Sequence, residues 1–119
     1  MKLWIYLFFG LFCLSIQAQT DLDLAESYYD NGEFKKALHL YKILQSTQPN
    51  NSKYTFRLIK ILQELEQFKA ADSLISGQLN RTKNPQLLVE MGYNYQLKNQ
   101  LEAAQDYYSQ ALNRARETP

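Results

Sequence analysis

Hydrolytic or group-transfer chemistry needs a base, a nucleophile or a metal, and this 119-residue chain offers few side chains for any of them. Its one histidine is His39 and its one cysteine is Cys13. A single imidazole makes no metal site, and a single cysteine makes no disulfide within one chain. His39 stands two residues after Ala37, between Leu38 and Tyr41, and reads as a surface or rim residue. Glu64 and Glu66 form a carboxylate pair, but positions two apart diverge on a helix, so a solvated face is the reading. No Gly-rich phosphate loop occurs. "NNS" at Asn50–Ser52 and "NRT" at Asn80–Thr82 match the glycosylation sequon. That signal matters only in a eukaryotic secretory pathway, and both matches are read as coincidental. No catalytic residue, cofactor or metal is assigned, and the chain is expected not to be an enzyme.

Binding chemistry is better represented. The net charge is +1, which argues against nucleic acid, since a phosphate-neutralising face needs a marked excess of Lys and Arg. Charge is segregated along the chain. Asp21 to Glu33 holds only acidic charges, and Lys35 to Lys60 only basic ones. Solvated ion pairs between neighbouring helices, each worth little, are the reading favoured for this pattern. Nine tyrosines raise carbohydrate binding or base stacking. Most fit packing positions instead, with Tyr29 and Tyr93 placed to face a partner and Tyr54 and Tyr107 expected at edges.

Those residues must be positioned by helices. Leu22, Ala25, Tyr28 and Tyr29 recur at three and four residues, the spacing of one helical face. "DNG" interrupts, and Gly32 suits the left-handed residue that ends a helix. Phe34, Ala37, Leu38, Tyr41 and Leu44 form a second stripe, stopped by Pro49. Leu58, Ile59, Leu62 and Leu65 form a third, and Phe68, Ala71, Leu74, Ile75 and Leu79 a fourth. Asn84 caps the next helix with Pro85 in its first turn. Leu88, Met91, Gly92 and Tyr95 lead to a break at Lys98–Gln100, then to Leu101, Ala104, Tyr108, Ala111 and Leu112. Sustained period-two alternation is missing, so no strand is expected.

The N-terminus follows a different plan. Lys2 precedes an apolar run from Leu3 to Ile16, and "IQAQ" places Ala18 before a plausible cut. This is the secretory signal layout. A helix over that run spans about 21 Å, short of the ~30 Å hydrocarbon core that an anchor must cross. A lipidated Cys13 is rejected, because bulky Leu11 and Phe12 precede it. Residues 1–18 are therefore expected to be a cleaved signal peptide and 19–119 the mature domain. Loss of Lys2 leaves 12 basic residues against 12 acidic.

Phe34-x-x-Ala37 returns as Phe68-x-x-Ala71 and again as Leu101-x-x-Ala104. Three copies of one helical hairpin account for this, over about 18–51, 52–84 and 85–118. A period near 34 with paired helices resembles the tetratricopeptide repeat. Unit one matches with Leu24-Ala25, Tyr28, Ala37, Tyr41 and Pro49. Unit three matches with Met91-Gly92, Tyr95, Ala104 and Tyr108, without the proline. Unit two is the most divergent, with Leu58-Ile59, Leu62, Ala71 and Ile75. The family's first-helix Trp is replaced by Asp21, Thr55 and Leu88. The expected fold is all-α, a right-handed α-solenoid of three hairpins with a concave inner face.

The resemblance implies that first-helix residues line a partner groove. By matching positions these are Glu26 and Tyr29 from unit one and Lys53, Phe56, Lys60 and Gln63 from unit two. Unit three adds Val89, Tyr93 and Gln96. Leu22 and Glu26 stand where a carboxylate clamp of chaperone-binding members would begin, so that mode is not implied. The mixture suits an extended peptide or a partner helix, with aromatic anchors and polar contacts around them. The leading expectation is a periplasmic or secreted protein-interaction scaffold with a protein or peptide partner and no stable membrane insertion after cleavage. Alternatives are a homo-oligomeric structural protein associating through its C-terminal end, a glycan or peptidoglycan binder using Tyr29, Phe56 and Tyr93, or the leading sensor part of a longer protein.

Overall fold

The computed structural model of the protein describes residues 2–117, with side chains throughout except at 10–19. It is helical, and no strand occurs among the described residues. The elements are α1 (Lys2–Asp30), α2 (Phe34–Thr47), α3 (Ser52–Glu64), α4 (Phe68–Leu79), α5 (Pro85–Leu97) and α6 (Leu101–Glu117). The chain divides into two compact units, Met1–Ile61 and Leu62–Pro119, and the division falls inside α3 rather than at a hairpin junction. No linker of distinct composition marks it, because α3 continues through that point without a break.

The repeat is written most plainly in the turns. Gly32 N–H donates to the Tyr29 carbonyl and Glu33 N–H to the Tyr28 carbonyl. Glu66 and Gln67 make the same two bonds to Gln63 and Leu62, and Asn99 and Gln100 make them to Gln96 and Tyr95. Each is a Schellman closure, which satisfies the last carbonyls of a helix and needs a left-handed residue. That residue is Gly32 (φ 75°), Glu66 (φ 58°) or Asn99 (φ 61°). The residue after it also opens the next helix. Ala37, Ala71 and Ala104 donate their N–H groups back to Glu33, Gln67 and Gln100. One short turn thus ends each first helix and begins each second helix, which fixes the hairpin geometry three times over.

Elsewhere the ends follow ordinary capping rules. Asn84 is the N-cap of α5, with its side chain accepting from Gln86 N–H at 3.0 Å and Pro85 in the first turn. α6 carries Glu102 in its first turn and Arg114 and Arg116 in its last, both favourable to the helix dipole.

Small residues allow the close approach of helix to helix. Ala25 and Ala37 are buried in the first unit, and Ala71, Gly92 and Ala104 in the second. At Gly92 the fit is tight. A Cβ there would lie 2.6 Å from Tyr108 Cε1 and 3.1 Å from the Ala104 carbonyl oxygen. The first unit completes its core with Tyr41, Leu44, Leu58, Ile59 and Ile61. The second does so with Leu62, Ile75, Leu87, Leu88, Met91 and Ala111. Thr55 and Leu88, which stand at the family's Trp position, are both buried.

Two expectations need correction or restriction. Tyr54, expected at an edge, is buried in the first unit, because its place on α3 lies one turn before the core residue Leu58. α1 runs unbroken through the expected cut after Ala18. Met1 lies outside the described residues, as do the side chains around that cut.

Candidate partner-binding face

In the first unit the expected partner residues stay accessible on α1 and α3. Glu26, Tyr29, Phe56 and Lys60 are half-buried and Lys53 is exposed. Tyr29 is fixed from two sides. Its ring meets Phe34 edge-on at 5.6 Å, and the Arg57 guanidinium lies 4.1 Å over its face. Arg57 had no place among the sequence-derived candidates, yet it organises this face. Burial would lower its pKa, but hydrogen-bond and charge interactions with Tyr29 and then Tyr41 together outweigh that effect and raise it. Tyr41 is itself buried, and desolvation pushes its hydroxyl pKa up. The guanidinium therefore joins a core tyrosine to a surface one. No sequence signal marked it, because an Arg inside a basic stretch reads as solvated.

In the second unit, Val89 and Gln96 are exposed and Tyr93 is half-buried, all on α5. Their spacing of four and three residues puts them on one stripe. Gln96 is also tied down: its Oε1 accepts from the Tyr108 hydroxyl at 2.8 Å. Gln63 departs from the expectation of an open position. It is buried, and its Nε2 donates to the Glu90 carbonyl at 3.4 Å. Its place at the Schellman turn explains this, since the next-to-last residue of α3 is drawn toward α5.

A buried polar seam lies between α4 and α5. Asn94 is 0% exposed. Its Nδ2 donates to the Phe68 carbonyl at 2.9 Å and to Asp72 Oδ1. Lys98 Nζ donates to Asp72 Oδ2 at 3.0 Å and lies 4.0 Å over the Tyr95 ring. Tyr95 in turn stacks on Tyr107 at 5.3 Å. Burial, and then Tyr95 beside it, push the Tyr107 hydroxyl pKa up. Tyr107 is half-buried and held by this stacking. These groups bind one helix to the next. No group of three or more metal-ligating side chains occurs among the described residues. His39 is exposed, as expected.

No family model and no curated protein matches the chain. Solved structures do. MamA MSR-1 superposes with a TM-score of 0.73 at 19% identity, over 86% of this chain and 59% of that one. MamA AMB-1 gives 0.71 at 19% identity, over 83% of this chain and 59% of that one. The chain thus spans 59% of the length of these solved structures. MamA is a tetratricopeptide-fold protein. With three matching Schellman turns and a buried alanine opening each second helix, the fold of this chain is that of the tetratricopeptide repeat.

Proposed function

We propose that this chain is an exported, non-enzymatic interaction module that holds an extended peptide or a partner helix against its first-helix faces. The observation that carries the reading is the exposure pattern of α5. Leu87, Leu88 and Met91 are buried, whereas Val89 is 37% exposed and shares its stripe with Tyr93 and Gln96. An apolar anchor beside an aromatic one, with polar groups around them, is how a protein surface grips a short segment. Phe56 and Lys60 on α3 repeat the pattern within the first unit, next to the Tyr29–Arg57 stack.

Export is supported by the start of α1. Leu3 to Phe9 are seven consecutive large apolar residues, each 64% to 82% exposed. No helix among the described residues is long and apolar enough to cross a membrane. A short run of this kind suits a leader removed during secretion into the periplasm or beyond.

Partner capture from the native host tests the binding reading. Phe56→Ala and Tyr93→Ala should each weaken capture with unchanged helicity, and His39→Ala should change nothing. Loss of function from His39→Ala alone would overturn the non-enzymatic reading. Retention of a glycan by wild type, lost in Tyr93→Ala, would replace a peptide ligand with a carbohydrate. N-terminal sequencing of the recovered protein should begin near Gln19; a soluble cytoplasmic product retaining Met1 would contradict export.

A further inference from the structure

The two hairpins α1–α2 and α5–α6 present the same face in different states. On α5 the face consists of Met91, Asn94 and Tyr95, and α4 packs against it through Phe68 and Asp72. The same repeat positions on α1 are Leu24, Ser27 and Tyr28. Ser27 is exposed and Leu24 is 42% exposed, whereas Met91 is 4% exposed. Leu24, Tyr28 and Leu40 floor an open pocket of about 500 Å³, rimmed by Lys35, Lys36 and His39. The first unit thus carries a receiving face of the kind that α4 fills on α5.

A donating face exists as well. The α4 stripe is Phe68, Asp72, Ile75 and Leu79, and its repeat equivalents on α6 are Leu101, Gln105, Tyr108 and Leu112. Ile75 is buried, but Leu101 is 58% and Leu112 53% exposed. Beside this stripe α6 carries Glu102 and Asp106, both exposed. They occupy the repeat positions of Lys35 and His39 on α2 with the opposite character. Shape and charge therefore complement each other between the two exposed faces.

We infer that the occupant of the Leu24–Tyr28–Leu40 pocket is α6 of a second copy, which packs there as α4 packs on α5. This deepens the expectation of self-association through the α6 end and is independent of peptide binding at Val89 and Tyr93. The contact is heterologous, since the two faces differ. Each contact joins the receiving face of one copy to the donating face of another, and assembly proceeds head to tail.

Light scattering across a concentration series tests it, on the protein as recovered from its host. The mean mass of wild type should rise with concentration through dimer and trimer. Leu24→Glu spoils the receiving face and Leu101→Glu the donating face. Both sites are exposed, so helicity should be unchanged and each variant alone should stay monomeric. An equimolar mixture of the two should form a one-to-one pair and stop there, because one sound face of each kind remains. Should Leu24→Glu lose helicity, the double rim change Lys35→Glu with Lys36→Glu replaces it, with the same expectation. Wild type that is monomeric at every concentration would overturn the inference. So would a mixture that stays monomeric, or a variant that assembles like wild type. Phe56→Ala should assemble normally; if it does not, the first-helix face and not this pocket is the contact. Failure of peptide capture, with assembly intact, would count only against the interaction-module reading.

Discussion

Asn94 on α5 and Ser27 on α1 hold the same place in their hairpins, yet one is fully buried and the other is exposed. The hairpins themselves are built alike, with the same turn bonds and the same alanine opening the second helix. The difference comes from what packs on them. α4 covers the α5 position, and its Phe68 carbonyl and Asp72 carboxylate give the buried amide its partners. A repeat position therefore fixes local geometry, while burial and polarity at that position depend on the neighbouring helix.

The sharpest way to break this contrast is to remove both side chains. Asn94→Ala should destabilise the protein by roughly 2–3 kcal/mol, because it opens a gap and strands the groups it bonds. Ser27→Ala should stay within about 0.5 kcal/mol of wild type. Denaturant melts of the two variants check this, and equal losses would show that α4 does not set the difference.

Gly92 and Ala25 form a second pair at one repeat position. Ala25 keeps its Cβ while buried, but at Gly92 the Tyr108 ring and the Ala104 carbonyl occupy that space. Gly92→Ala should cost about 1–3 kcal/mol through overpacking, and truncating Tyr108 should relieve part of the loss. A double-mutant cycle on the two positions measures that coupling.

Ala71 sits at the shared small position of α4 and is fully buried. Ala71→Leu should also overpack its helix pair, by about 1–3 kcal/mol. An unchanged melt would show that the register of the second hairpin is misplaced.

The smallest effects lie in the three turns. Glu66 adopts the left-handed conformation at which Gly32 stands in the first turn. Glu66→Gly should stabilise by roughly 0.5–1 kcal/mol, and Gly32→Ala should destabilise by a similar amount. Thermal melts would resolve both signs.

These turns also show what was legible in the sequence. Gly32 announces its backbone conformation by residue type, and Asn84-Pro85 announces a helix start. Glu66 announces nothing, and only its repeat position reveals the turn. The hairpins and their small residues could be read because periodicity and steric need are local. Asn94, Glu90 and Gln63 could not, since polar side chains read as solvent-facing until a neighbouring helix covers them. Arg57 was missed for the same reason: its partners Tyr29 and Tyr41 lie on two other helices. Of the expected partner face, Val89, Tyr93 and Gln96 emerged as one stripe, while Gln63 was drawn into the packing.

Site-specific photo-crosslinking in the native host tests the proposed function most directly. A benzophenone side chain placed at Val89, which is exposed on the α5 stripe, should join the protein to a polypeptide partner. The same probe at Ser76, exposed on α4, should give no such adduct. The Val89 adduct should disappear when Tyr93→Ala is added. Adducts at Ser76 with none at Val89, or a Val89 adduct indifferent to Tyr93→Ala, would contradict the assignment of partner binding to the first-helix face.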